Sequence, residues 1–301
     1  MIKTKQKQRQ TKQTQRQKAP APAPKSRALT TLPRATNKQL GKAIDLRADS
    51  HMGMEAMTQA DYAIPRIVIL QDLSPQVQTR DERHIENAEA GDICDIVGQV
   101  LYDGNEGIIV DPVSYRRAYI EWVPRTKGGG FVADRTPINP EASNQLQDFL
   151  NNKCTRGAKG EITTPTGNEI RISGEYFVFM VDVATGDFQP FVISMGGTQM
   201  KKSRRWNTVM SQFKIDYNGE RINPAMFYRC YKLTTIPERN DQGSWFGWQI
   251  TPDVNVIDLP KGEEIYIEAK EFRKSILAGR VSVSQPVQED VPGAESEDAP
   301  M

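Results

Sequence analysis

The stretch YFVFMVDVATGDFQPFVIS, Tyr176 to Ser194, holds two runs of aromatic and β-branched residues, Tyr176–Val183 and Phe188–Ser194, around Ala184-Thr185-Gly186-Asp187. Each run is strand length, and the glycine between them supplies a turn, so the pair predicts an antiparallel hairpin. The same pattern recurs outward from here. Gly98–Tyr102 and Gly107–Val113 flank Asp103-Gly104-Asn105-Glu106, and Phe213–Tyr217 and Glu220–Ile222 flank Asn218-Gly219. Tyr115–Val123, Gly167–Ile172, Met226–Thr235 and Ser244–Thr251 add strands. Helical periodicity is rarer. It marks Ser143–Asn152, Thr198–Phe213 with Thr198 as cap, and Lys261–Ala278, where Ile265, Ala269, Phe272 and Ile276 share a stripe and Gly279 supplies the stop. The fold class is therefore mainly β, a β-rich α+β body built on antiparallel hairpins. A Greek-key sandwich and a small closed barrel both suit this spacing.

Charge divides the chain into three. Residues 1–42 carry Lys3, Lys5, Lys7, Arg9, Lys12, Arg16, Lys18, Lys25, Arg27, Arg34, Lys38 and Lys42 with no acid, whereas 281–301 carry Glu289, Asp290, Glu295, Glu297 and Asp298 with no base. The formal net charge of +1 hides this separation. The Gln/Lys/Arg-rich start and the Ala-Pro repeat of 19–24 have almost nothing to bury, so residues 1–60 are expected to form a disordered basic arm and linker. Residues 61–280 form the β-rich domain and 281–301 a disordered acidic tail. No run approaches the apolar length of a membrane helix and no secretory h-region is present, which predicts a soluble, intracellular protein with no membrane partner. Cys94, Cys154 and Cys230 are odd in number and widely spaced, the usage of buried thiols in a reducing compartment. With His51 and His84 as the only histidines, the material for a His-based triad or metal site is thin, and no cofactor is expected.

A basic arm beside an acidic tail points to a polyanionic partner. The sharpest local cluster is Met200-Lys201-Lys202-Ser203-Arg204-Arg205-Trp206-Asn207. On a helix, Lys201, Arg204, Arg205 and Thr208 gather on one side, and Trp206, Val209, Met210 and Phe213 on another. The apolar stripe should pack on the sheet and turn the bases, Lys202 with them, toward phosphates. A solvated charged face is the plain alternative, but such faces commonly mix signs and this one has no acid. In Tyr115–Trp122, strand alternation puts Tyr115, Arg117 and Tyr119 on one face and Arg116, Ile120 and Trp122 on the other. Exposed, the first face would stack unpaired bases; buried, it is ordinary cross-strand packing. Trp245 and Trp248, in Gly243–Trp248, are a further stacking platform or the end of the core. Arg125 and Lys127 precede Gly128-Gly129-Gly130, a hairpin tip that matches no phosphate-loop pattern. Pro252-Asp253 with Glu268-Ala269-Lys270 has the loose spacing of a metal-dependent nuclease, but the second half falls inside the last helix, so the chain reads as no enzyme.

Ile64-Pro65-Arg66-Ile67, Gln71-Asp72-Leu73-Ser74-Pro75, Tyr115–Trp122, Met200–Asn207 and Asn240–Trp248 resemble segments of tailed-bacteriophage single-stranded DNA-binding proteins, a likeness spanning about residues 62–275. The resemblance implies an elaborated OB-like antiparallel barrel, a role in phage DNA replication or recombination in the cytoplasm of the infected host, single-stranded DNA as partner, and no catalysis. It also gives the acidic tail a part in autoregulation or in docking replication or recombination proteins, although Met301 stands where such tails usually carry an aromatic residue. The alternative is a virion structural or scaffolding protein whose basic arm contacts packaged genome.

Overall fold

The computed structural model describes residues 45, 48–49, 52–57, 61–158, 160–241 and 243–285; most of the expected arm and tail lies outside them. In chain order the strands are β1 (Ala63–Ile64), β2 (Arg66–Ile69), β3 (Ile93–Asp95), β4 (Val100–Tyr102), β5 (Ile108–Trp122), β6 (Phe131–Asp134), β7 (Thr155–Arg156), β8 (Ile162–Thr163), β9 (Glu169–Val181), β10 (Phe188–Gly196), β11 (Ile215–Tyr217), β12 (Glu220–Ile222), β13 (Arg229–Asn240), β14 (Gly243–Asn255) and β15 (Ser282–Val283). Three helices accompany them among the described residues: α1 (Pro140–Asn152), α2 (Met200–Gln212) and α3 (Gly262–Leu277). The architecture is mainly β, as expected.

One sheet dominates, running β14-β13-β5-β9-β10-β2-β3-β4, with β6 on β5 and the small β7–β8 pair on β9. It curls into a half-barrel. The curl is visible in the core: Trp248 and Leu233 from one end of this order share a cluster with Ile67 and Ile93 from the other, together with Val110, Tyr176, Val178 and Ile193 from the middle. The β9–β10 and β11–β12 hairpins form as predicted, the latter through Asn218 and Gly219 at φ of 51° and 84°, the left-handed pair that such a turn needs.

Four expectations need correction. The strand pairing is not wholly antiparallel, since β2 joins β10 in parallel within the large sheet and β1 joins β15 in parallel in a separate two-stranded sheet. Gly98–Tyr102 and Gly107–Val113 do not pair with each other: β4 is a terminal strand of the order, β5 a central one, and the loop between them accepts a bond from Thr235 N to Gly104 O at 2.8 Å. The separate strands expected on either side of Ser114 are one strand, β5, shifted in register between Pro112 and Ser114, where proline withholds its donor and a bulge results. Val281 and Val283, assigned to the tail, pack against Ile64, Phe177 and Val192 beside Phe272 and Ile276 of α3.

The curl is closed by a side chain. Gln71, just past β2, accepts from Phe246 N (2.8 Å) and donates to Phe246 O (3.0 Å), so its amide serves β14 as a neighbouring strand's peptide would. Gln71→Leu keeps the volume and leaves both backbone groups without a partner in a half-buried place. The expected cost is about 2 kcal/mol, checked by urea denaturation, with faster hydrogen exchange at the Phe246 amide locating the loss at this edge.

Candidate nucleic-acid interface

Side chains of β9 alternate between two covered faces. Gly174, Tyr176 and Val178 face α2, while Phe177 and Phe179 meet Phe272 of α3 at centroid distances of 6.3 and 5.2 Å. Gly174 sets how closely α2 approaches, because a Cβ there would lie 2.3 Å from Ser203 Oγ. Beside it Tyr176 stacks on Trp206 (4.3 Å), and its hydroxyl lies 3.0 Å from Ser203 O, 2.8 Å from Ser203 Oγ and 3.0 Å from Asn207 Oδ1. Burial pushes the Tyr176 phenol upward, so it stays neutral and can both donate and accept here. These contacts fix which side of α2 faces outward.

That side is basic. Met200, Ser203 and Trp206 are buried, and Lys201, Arg204, Arg205 and Thr208 are exposed, as the helical wheel predicts. Met200–Gln212 contains no Asp or Glu. Lys202 departs from the expectation: it turns to the side and pairs with Glu238 of β13 at 2.7 Å. Val209, predicted to pack, is 37% exposed. Thr198 does not cap the helix either, since Gly197–Gln199 form a 3-10 turn leading into it and Gln199 commits its amide to Trp248 N (3.1 Å) and Glu238 (3.3 Å).

The predicted stacking rings fare differently. Tyr115 keeps 37% of its surface exposed beside Tyr176, at 5.0 Å, and Arg117 is exposed on the same face. Tyr119, 9% exposed, is covered by Leu146 and Leu150 of α1 with Ile162 and Ile170. Trp248 (3%) belongs to the half-barrel core, and Trp245 (7%) donates its indole N–H to Glu238 at 2.9 Å. Neither tryptophan is a platform. Arg116 is held by Glu175 and reaches Asp134 at 3.4 Å, so its charge is met within the protein.

Arg125 and Lys127 form an exposed 3-10 turn at the far end of β5. Partial desolvation lowers the Arg125 pKa from its ordinary value, and the positive charge of Arg171 adds to that. Arg171, on β9, was not among the predicted bases; a lone arginine between Ile170 and Ile172 gives no sequence signal, and only strand pairing sets it opposite Ile120, near this turn.

Glu268 and Lys270 flank the buried Ala269 on α3, and no group of three His, Cys, Asp or Glu among the described residues could hold a metal ion. The cysteines are free, Cys94 and Cys230 buried and Cys154 half-buried; burial pushes the Cys94 thiol up to about 12. No helix among the described residues is long and apolar enough to cross a membrane.

No curated protein and no solved structure matches the chain. The model of a family described as Pam3 phage gp34-like protein matches residues 35–282, a span that takes in the whole half-barrel, all three helices and the basic face of α2, and the chain therefore belongs to that bacteriophage family.

Proposed function

We propose that this phage protein is a non-catalytic nucleic-acid binder, that single-stranded DNA is its preferred ligand, and that it acts in phage DNA replication or recombination in the host cytoplasm. The observation that carries the reading is α2. Bases in the first two turns of a helix oppose its dipole, whose positive end favours acids there, and Lys201, Arg204 and Arg205 all face outward from a helix whose own sequence holds no Asp or Glu. Such a departure from local preference is expected at a functional site, here one suited to an anionic ligand. Phosphates along a strand would meet these cations, with Arg117 and the exposed part of Tyr115 on the neighbouring sheet face. The curled sheet is compatible with an OB-like barrel, but the burial of Tyr119, Trp245 and Trp248 makes this a phosphate-dominated site with little stacking. Residues 1–42 add affinity of the same kind, and the acidic tail moderates it or docks partner proteins.

The same burial favours a second reading, a virion structural or scaffolding protein whose basic arm contacts packaged genome. Fluorescence anisotropy with single- and double-stranded oligonucleotides at two salt concentrations separates the two. Three proteins are compared: the full chain, residues 61–285, and the full chain carrying Lys201→Glu, Arg204→Glu and Arg205→Glu. On the first reading, 61–285 binds and prefers single strands. The triple change then weakens binding at least tenfold, and the slope of log K against log salt falls by about 0.7 for each phosphate that the variant no longer neutralises. If 61–285 binds neither ligand while the full chain and the triple variant bind both alike, affinity resides in the arm and the second reading replaces the first.

A further inference from the structure

On the α3 side of the sheet, away from α2, a groove of about 460 Å³ opens between α3 and the turn that precedes β13. Its floor is apolar, formed by Ala225, Met226 and Phe227, and its rim is Lys270, Arg273 and Lys274. Lys274 is paired with Glu271 at 2.6 Å, whereas Lys270 and Arg273 make no ion pair among the described residues. An apolar floor under an unneutralised cationic rim fits an extended segment with small apolar side chains flanking carboxylates. The chain contains one close by: Val287-Gln288-Glu289-Asp290-Val291. It begins two residues beyond Gln285, and β15 before it packs on Phe272 and Ile276 of α3 itself. Residues 286–291 can span about 20 Å at about 3.3 Å per residue, against a helix diameter of about 10 Å, so they can pass around α3 to the groove.

We propose that residues 286–291 run to this groove and dock there, with Glu289 and Asp290 against Lys270 and Arg273 and with Val291 over Met226 and Phe227. The docking does not depend on the nucleic-acid reading. A short tether holds the segment at an effective concentration on the order of millimolar, so a groove with an intrinsic affinity of about 100 µM is filled about ten to one in the free protein.

The test is titration of a fluorescent peptide of residues 285–295 onto the full chain and onto a chain ending at Gln285, which retains every described residue. The shortened chain should bind the peptide, and the full chain should bind it about tenfold more weakly because its own segment occupies the groove. Lys270→Glu with Arg273→Glu in the shortened chain should abolish binding, and a peptide with Glu289→Lys and Asp290→Lys should restore it on that variant, a rescue that misfolding cannot mimic. No binding by the shortened chain, or binding indifferent to the charge reversal, overturns the proposal. Equal binding by the two chains overturns it as well, since the groove would then serve another molecule. A concentration-dependent dimer of the full chain that disappears on removal of 286–301 would replace docking within one chain by docking between two.

Discussion

Glu175→Ala is expected to cost about 3–5 kcal/mol of stability, the typical loss when one member of a buried ion pair is removed. Glu175 lies mid-β9 with its side chain 1% exposed, and its two oxygens serve two arginines: Oε1 meets Arg66 at 2.7 Å, and Oε2 meets Arg116. Arg66, 5% exposed, has only neutral partners otherwise, Ser284 O at 2.9 Å and Ser194 Oγ at 2.7 Å. Remove Glu175 and a guanidinium is left buried without a counter-charge. Arg116 suffers less, because it is partly solvated and keeps Asp134. The penalty therefore resides in Arg66, which yields a sharper expectation: the double change Glu175→Leu with Arg66→Met should recover much of what Glu175→Ala loses, because a buried pair replaced by apolar residues is often nearly neutral. Urea denaturation of the single and double variants gives the coupling. A single-variant loss under about 1 kcal/mol, the scale of a solvent-exposed pair, would mean that water reaches this site. Since Arg66 also anchors Ser284, the variants should loosen the β1–β15 pair and with it the departure point of the acidic tail.

That network also explains why part of the interface was legible in the sequence and part was not. The outward face of α2 was readable because all its determinants are local: a wheel over thirteen residues and the absence of acids within it. The fates of Arg116 and Lys202 depend on Glu175 and Glu238, dozens of residues away, and no spacing rule points to either. Strand alternation correctly separated Tyr115, Arg117 and Tyr119 from Arg116, but alternation says only that two faces exist. Here α1 covers the end of that face holding Tyr119 and leaves Tyr115 and Arg117 partly open, a boundary set by where one helix ends. The fold shows the same division. Tight hairpins with Gly186 or Asn218-Gly219 were readable from their turns, as was α3 from its stripe and Gly279. The crossover at Asp103–Glu106 has the chemistry of a hairpin turn, yet pairs with β13 instead. The edge closure by Gln71 was also hidden, because a glutamine acting as a strand has no pattern.

Asp111→Val is expected to stabilise the protein, with a gain that grows with pH. Asp111 lies on β5 opposite Phe179, fully buried, and neither carboxyl oxygen has a hydrogen-bond partner. Desolvation raises its pKa well above the ordinary value, so the folded protein holds it as the neutral acid. The nearby titratable groups give no relief: the Cys230 thiol is itself pushed up, chiefly by burial and further by Asp111, and Tyr231 is raised chiefly by burial, with Asp111 adding to it. The unfolded chain releases the Asp111 proton near its ordinary pKa and the folded chain does so only at a much higher pH. From there upward, folding takes up a proton, and each pH unit costs up to about 1.4 kcal/mol until the folded pKa is passed. The stabilising side of this linkage therefore lies at low pH and is lost as pH rises. Valine removes the titration and both unsatisfied oxygens and suits a strand. Thermal or urea denaturation of both proteins from about pH 5 to pH 8 should give curves that diverge, with Asp111→Val ahead by about 2 kcal/mol or more at the upper end and by less at the lower. Because every other titrating group is common to both, the difference isolates this carboxyl. A gap that stays constant with pH would mean that Asp111 is ionised in the folded state, held by water or by a counter-charge. A destabilised variant at every pH would mean that the carboxyl contributes packing or bonding that valine does not replace.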